Sequence, residues 1–328
     1  MRNSSFEVLR LLAVMLIIAM HILGYVDHAL LSPANKAVLA GVNIIGNTGV
    51  SCFVLISGYF GVKFKFHKFI YLIVISSLYT LFVTCLNDGY DLKEAVKALL
   101  VIPRYKLWFI VCYLFLMLLS PYLNQFAEML EKKEFTRLLA LLTVLLCVVP
   151  TVFFEAANSD VILHQGGKNL TYFLFLYLIG RYIRKYFDKD YSRTLSASVF
   201  FLSSGIMAVI AALTGILLVS DCSIFILLSS LSLFFFFKSF CFHSRTVNYI
   251  TSSVLAIYVL NWIYIFLDKG FIHIEEHASS ISFVLYLAAE VLIVVLAALI
   301  IDKTLGALVN RLLTCVEERF PVLKKKTT

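Results

Sequence analysis

The chain has 328 residues, of which 61% are apolar and 15% charged, and its mean hydropathy is +0.92. This composition excludes a water-soluble globular protein and predicts an all-α, polytopic membrane protein. The net charge of +8, from 28 Lys and Arg against 20 Asp and Glu, indicates membrane topology and not a nucleic-acid partner.

Ten hydrophobic segments are long enough, or nearly so, to cross a bilayer, which needs about 20 helical residues. We therefore expect about ten transmembrane helices, a number that is approximate because the sixth and eighth segments are short. No linker or repeat divides the chain, and residues 1–328 are predicted to form one domain with spans at 6–301 and a cytoplasmic amphipathic tail at 302–328. The segments lie near residues 6–26, 41–62, 69–86, 107–123, 137–154, 170–183, 194–219, 222–237, 249–267 and 279–301.

Lysine and arginine are unevenly distributed between the two sides of this predicted bundle. If the amino terminus is cytoplasmic, 21 of the 28 fall on the inner side, which predicts that both termini are cytoplasmic. Lys324, Lys325 and Lys326 in the tail are expected to lie near anionic lipid. The seven outer residues are Lys36, Lys93, Lys97, Arg104, Lys106, Lys168 and Lys269.

The first segment carries ionisable residues that an ordinary membrane span lacks. Arg10 and His21 are eleven positions apart, a rotation that ends only about 20° past three full helical turns, and Glu7 lies roughly 40° around the helix from His21. Each such group costs about 2.5–3.5 kcal/mol to insert. The segment has no small-residue cleavage site after its apolar region, so it is predicted to be a retained span whose charged stripe faces protein or water.

The loops and cysteines give weaker signals. Residues 91–106 alternate apolar and charged side chains and are predicted to form an interfacial helix ending near Pro103.

His273 to His277 match the H-x-x-E-H spacing of some zinc peptidases, but they lie in a short outer loop without an evident third ligand. The seven cysteines form no C-x-x-C pair. No metal site or disulfide framework is predicted, and the loop is interpreted as a solvated polar segment.

Several motifs follow the order found in a known family. The first segment opens with Phe6-Glu7-Val8-Leu9-Arg10 and forms an R-x10-H motif ending at His21, and the second ends in the run from Val50 to Phe60 before a basic inner loop. Together they resemble acyltransferase family 3, whose members are integral-membrane enzymes that typically move acetyl or other acyl groups onto sugars of surface polysaccharides. Further similar residues are Leu107, Trp108, Phe109, Tyr113 and Ser120 to Asn124 in the fourth span, and Tyr172 to Leu174 with Gly180 in the sixth.

The resemblance implies acetyl-CoA as acyl donor. Its phosphates would need a cationic surface on the inner side, and the expected cofactor-binding residues are Lys65, Lys68 and Arg10. The family often carries R-x-x-R where this chain has Lys65-Phe66-His67-Lys68, and lysine lacks the bidentate fork of arginine. Without the resemblance, these lysines would be interpreted as following the positive-inside rule.

The resemblance also implies a catalytic group made of His21, Arg10 and Glu7. An imidazole can take the proton of an acceptor hydroxyl as that oxygen attacks a thioester, although an isolated intramembrane histidine can equally be structural. Glu7 and Arg10 suit an ion pair that either supports the site or makes a buried arginine tolerable.

Five further residues are expected to bind substrate. They are Asn261, Ser57, Tyr59, Trp108 and Tyr113. Asn261 ends a stretch that in the family often ends in histidine, and an asparagine there can form hydrogen bonds but cannot titrate. Helix packing is an alternative role for Ser57 and Tyr59, and an interfacial aromatic belt is an alternative role for Trp108.

The function predicted from these features is O-acyl transfer from cytoplasmic acyl-CoA to a cell-envelope or exported polysaccharide, or to its lipid-linked precursor, in the bacterial inner membrane. Its partners would be acyl-CoA, a glycan or lipid-linked saccharide acceptor, and membrane lipids. A glycolipid or polysaccharide transporter or flippase is the alternative, because a charged stripe among ten spans also suits a substrate path. A third possibility is a noncatalytic membrane subunit of a glycan assembly complex.

Overall fold

The computed structural model describes residues 3–153, 156–157, 163, 165–187, 191–214 and 220–319. Helices account for 82% of the structure, and the described residues contain no strand, which confirms the all-α membrane class. The tail residues 320–328, with Lys324 to Lys326, and the ends of the fifth and seventh predicted segments lie outside the described residues. The helices are α1 Ser4–Tyr25, α2 Pro33–Gly46, α3 Thr48–Phe60, α4 Phe66–Asp88, α5 Leu92–Leu99, α6 Trp108–Met129, α7 Lys132–Thr143, α8 Val149–Val152, α9 Leu170–Tyr186, α10 Arg193–Thr214, α11 Ile224–Lys238, α12 Arg245–Thr251, α13 Val254–Leu260, α14 Tyr264–Leu267, α15 Phe283–Ile301 and α16 Ala307–Arg319.

Eight helical stretches among the described residues are long and apolar enough to cross a bilayer. Each corresponds to one predicted segment. The two remaining segments, the sixth and eighth, form α9 with 17 residues and α11 with 15. Both pack against α3, so neighbouring helices cover much of their surface. The eight stretches are Ser4–Tyr25, Pro33–Phe60, Phe66–Asn87, Trp108–Met129, Lys132–Val152, Arg193–Thr214, Arg245–Ile272 and Phe283–Cys315.

The first span, α1, lies at the centre of the bundle and contacts α3, α11, α13 and α15. Asn3 caps it, because its side chain accepts a hydrogen bond from the Ser5 amide at 3.1 Å. The Ser4 amide donates to the Phe242 carbonyl at 2.9 Å, which joins the beginning of α1 to the loop after α11. We call this the inner end, following the predicted topology, and the opposite end of the bundle the outer end.

Helices α3 and α9 approach each other through glycine. A Cβ atom on Gly180 would lie 2.5 Å from the Leu55 carbonyl oxygen, and one on Gly58 would overlap the carbonyl of Tyr177. No side chain fits at either position, so the close backbone contact depends on both glycines. This contact holds the end of α3 against the middle of the bundle.

The predicted tail begins as a continuation of the last span. A π-helical turn at Asp302–Gly306 joins α15 to α16, and α16 packs beside α4. The Tyr79 hydroxyl donates to Asp302 Oδ1 at 2.7 Å, and His67 Nε2 lies 3.1 Å from Asn310 Oδ1. Residues Leu305, Val309 and Leu313 therefore pack onto the bundle at its inner end, and Asp302 to Asn310 form one wall of a cavity.

Candidate active site

His21 is held in a defined orientation by two consecutive residues of the ninth predicted segment. Its Nδ1 atom lies 2.9 Å from Asn261 Oδ1, and its ring stacks on Trp262 with 5.2 Å between centroids and 21° between planes. The Asn261 amide nitrogen donates to the Tyr258 carbonyl, so the amide oxygen faces the histidine and accepts from it. The proton of the neutral imidazole is thus on Nδ1, and Nε2 carries a lone pair that can accept a proton.

Asn261 lies where the regular helix is interrupted. The chain passes from α13 through the 3-10 turn Asn261–Ile263 into α14, and the asparagine side chain is buried. An asparagine cannot titrate, so Asn261 does not itself transfer a proton. Its observed contacts give it a different role, because its hydrogen bond fixes the tautomer and the orientation of His21.

Arg10 lies on the wall of a cavity of about 240 Å³ in the middle of the bundle. Its guanidinium pairs with the Glu7 carboxylate, and the two side chains are 19% and 2% exposed. The expected ion pair is therefore present, with the arginine turned partly into the cavity. The other residues of this wall are Ile17, Phe53, Ser57, Phe109, Tyr113, Thr251, Ser252, Val254, Leu255 and Tyr258.

A larger cavity of about 680 Å³ opens at the inner end. Three lysines, Lys63, Lys68 and Lys303, line it together with His67, and Asp302 is the acidic residue on its wall. Lys303 Nζ donates to Ser252 Oγ at 2.6 Å. The cavity is cationic, and its volume is typical of a cofactor site.

The inner and middle cavities share part of their walls. Tyr113, Ser252 and Leu255 line both, so a ligand at the inner end has a path along Arg10 toward the centre of the bundle. On α1, Ile17 lines the middle cavity, whereas Tyr25 lines a third cavity of about 430 Å³ at the outer end. His21 is four residues from each of them, on the same helical face. The histidine therefore lies between the inner path and the outer cavity.

The structure separates the predicted site residues into two groups. Arg10, Lys68, Ser57 and Tyr113 line the inner or the middle cavity. Glu7 pairs with Arg10, and Asn261 holds His21, although Glu7, Asn261 and His21 do not themselves line a cavity. Lys65, Tyr59 and Trp108 line none of the three cavities and make none of these contacts. Lys65 is exposed at the N-cap of α4.

Tyr59 and Trp108 belong instead to aromatic packing. Tyr59 is buried against Phe6 and Phe234, and its hydroxyl accepts from Arg184 at 3.2 Å. Trp108 makes edge contacts with Phe109 and Phe173. Packing, the alternative role considered for Tyr59 from the sequence, is thus the one its contacts describe.

The H-x-x-E-H spacing does not produce a metal centre. His273 has a left-handed backbone with φ of 50°, and Ile274–His277 form a 3-10 turn, so the two histidines are not one α-helical turn apart. His277 stacks on Tyr286, and Glu275 accepts from the Asp27 amide at 2.9 Å. Within the described part of the chain, no group of three or more His, Cys, Asp and Glu residues is placed to hold a metal ion.

Four residues of interest were missed in the sequence analysis. Trp262 follows Asn261 directly, so the same stretch contained the signal for it. Lys303 was assigned to a tail, although it follows the last span by two residues. His67 lay within the basic inner loop. Glu290 is a fully buried carboxylate in α15 without a hydrogen-bond partner among the described residues, and an ionisable residue in the last predicted span was its signal.

Fold and site together define an integral membrane protein in which an oriented histidine lies between an inner cationic cavity and an outer cavity. The family comparison is consistent with this class. Residues 3–302 match the model of the acyltransferase 3 family, described as an acyltransferase domain, and the chain belongs to this family. Membership supports membrane acyl transfer as the general activity. Comparison with curated proteins and with solved structures gave no match.

Proposed function

We propose that the protein transfers an acetyl group from cytoplasmic acetyl-CoA to a hydroxyl of a cell-envelope or exported polysaccharide, or of its lipid-linked precursor, in the bacterial inner membrane. The observation that carries the proposal is the position of His21, which Asn261 holds through Nδ1 and which lies on α1 between Ile17, on the wall of the middle cavity, and Tyr25, on the wall of the outer cavity. Transfer across the membrane requires a base that both substrates can reach.

The donor enters at the inner cavity. The phosphates of CoA carry several negative charges, and Lys63, Lys68 and Lys303 supply positive charge there. The pantetheine arm runs along the shared wall past Arg10 into the middle cavity. Arg10 and His21 are separated by about 16 Å along the helix, at 1.5 Å per residue. A pantetheine arm can span much of that distance and deliver the thioester toward the base.

The acceptor hydroxyl approaches from the outer side. Its oxygen attacks the thioester carbonyl carbon while its proton passes to His21 Nε2, and Asn261 stabilises the resulting imidazolium through the Nδ1 hydrogen bond. The carbon–sulfur bond then breaks. The proton on Nε2 is the one that the CoA thiolate requires, so the products are the acetyl ester and CoA thiol with no net proton gained or lost.

The experiment that tests the base uses cells or membranes carrying His21→Ala, with radiolabelled acetyl-CoA as donor and the labelled glycan as readout. Label in the glycan should fall to background at normal protein level. The matched control is His28→Ala, at the outer end of the same region, where the imidazole bonds the Leu23 carbonyl at 3.0 Å. Unchanged labelling in His21→Ala would exclude the assignment. Glycolipid movement across vesicles without acyl-CoA would favour transport.

A further inference from the structure

The outer cavity has walls that suit a saccharide. They come from the outer ends of α1, α4 and α13 to α14, and from the segment before α6. Trp262 stacks on His21 and is still 41% exposed, so its indole is available to a ligand. Sugar rings pack well on aromatic faces, which are apolar yet carry negative charge density. A sugar at this indole would lie beside the base.

Asn87 adds a polar group to the same wall. Its amide nitrogen donates to the Trp262 carbonyl at 3.1 Å, which fixes the Asn87 side chain against the 3-10 turn that contains Trp262. Its Oδ1 atom is buried and has no hydrogen-bond partner among the described residues. A buried acceptor without a partner is costly, and a sugar hydroxyl could satisfy it.

Two lysines give the cavity a positive charge. Lys106 and Lys269 both line it, and neither forms an ion pair with any residue that the structure describes. The carboxylate nearest in sequence, Asp268, is buried and accepts from the Ile274 amide at 2.7 Å. It is therefore engaged elsewhere, while the two ammonium groups remain on the cavity wall. Two such cations at the mouth of a polar cavity favour an anionic ligand.

From these contacts we infer that the outer cavity binds the acceptor as an acidic saccharide. The ring lies against Trp262, a hydroxyl reaches Asn87 Oδ1, and a carboxylate or phosphate lies between Lys106 and Lys269. This inference rests on the proposed function, since it names the class of acceptor that the transfer would use. It adds that the acceptor carries negative charge, which acyl transfer does not itself require.

The test uses direct binding and needs no acyl-CoA. The chain has two tryptophans, Trp108 and Trp262, so the Trp108→Phe variant leaves Trp262 as the one indole reporter. The full-length variant, purified in nonionic detergent, is titrated with methyl glucuronide, glucose 1-phosphate and neutral methyl glucoside while indole fluorescence is recorded. The first two probes distinguish a carboxylate from a phosphate. Lys106→Gln and Lys269→Gln are made in the same background, with the outer residue Lys93→Gln as matched control.

At least one anionic sugar should change the fluorescence saturably and bind roughly tenfold more tightly than the neutral sugar, as expected for one charge-assisted contact. Either cavity variant should remove this preference, Lys93→Gln should keep it, and added salt should weaken it. Equal binding of neutral and anionic sugars, or an anion preference unaffected by both cavity variants, would overturn the inference. So would the absence of any binding by protein that still transfers acetyl. If the protein binds the anionic sugar but transfers no acetyl group, that result would count against the proposed function and not against the binding of an acidic saccharide.

Discussion

The inner and outer cavities lie on opposite sides of His21 along the bundle and are lined by different chemical groups. The inner one is lined by three lysines and a histidine, drawn partly from the segment after the last span. The outer one combines an indole, an amide and two lysines. The inner walls suit a phosphate-rich donor held by charge, whereas the outer walls suit a ring held by shape and stacking. In the proposed mechanism, one base therefore serves two substrates that bind to different surfaces.

After loss of the base itself, the largest expected effect comes from the residue that orients it. Asn261→Ala removes the hydrogen bond to Nδ1 and should lower kcat about a hundredfold, within the range that general acid–base catalysis contributes. The KM values for donor and acceptor should change little, because both cavities are intact. Asn261→Asp keeps an oxygen acceptor and should retain much of the activity. Equal loss in both variants would indicate a packing role only.

A donor-specific effect should follow from the inner lysines. Lys68→Gln should raise the KM for acetyl-CoA roughly tenfold, since it removes a charge-assisted contact, and should leave the KM for the acceptor unchanged. Lys65→Gln should have little effect, because that side chain is exposed and off the cavity wall. Steady-state kinetics of the two single variants and the double variant decide this. A double variant much worse than Lys68→Gln would place Lys65 at the donor after all.

A change at the close contact between α3 and α9 should alter stability. Gly180→Ala places a methyl group against the Leu55 carbonyl and should destabilise the protein by about 1–3 kcal/mol. Thermal unfolding in detergent measures this. Gly205→Ala is the matched control, because a Cβ there meets no atom within 4 Å. Similar unfolding temperatures for the two variants would contradict the close contact between α3 and α9.

The smallest effect concerns the loop before α11. Burial raises the pKa of Asp221 to about 7, against the attraction of Lys168. A carboxyl with a raised folded pKa loses stability as the pH rises from its unfolded value toward 7, because the folded state binds more protons. Asp221→Asn should therefore raise the unfolding temperature at pH 8 relative to wild type, with little gain at pH 4. The other titratable groups that interact with Asp221 are Tyr172, Cys222 and Tyr258.

An equal gain from Asp221→Asn at both pH values would mean that the effect does not come from ionisation. Asp221 is only 3% exposed, so screening of its charge by water would not explain an equal gain at the two pH values.

Much of the fold followed from the sequence because its strongest signals are local. Ten apolar segments correspond to helices, and helical spacing placed Arg10 and His21 on one face. The site depended on contacts that local patterns do not encode. His21 and Asn261 are 240 positions apart, and only the packing of α1 beside α13 joins them. The position of Lys303 depended on the packing of the turn after α15 against Ser252, 51 positions earlier in the chain.

Two spacing patterns show what the sequence does not resolve. Lys65 and Lys68 looked equivalent as a K-x-x-K motif, but the first is the N-cap of α4 and the second lies within the helix, facing the inner cavity. Residues 273–277 looked like a possible metal motif, but the left-handed His273 ends the helical geometry that the spacing requires. Spacing alone therefore did not distinguish the side chains that meet a cavity from those that do not.

The most direct test of the central claim is the sidedness of transfer. Sealed membrane vesicles of known orientation are given radiolabelled acetyl-CoA from outside, and label in the glycan is measured before and after permeabilisation. Inside-out vesicles, which expose the inner cavity, should label at once and lose labelling with His21→Ala, whereas right-side-out vesicles should label only when permeabilised. Equal labelling by sealed vesicles of both orientations would contradict a donor path from the inner end to His21.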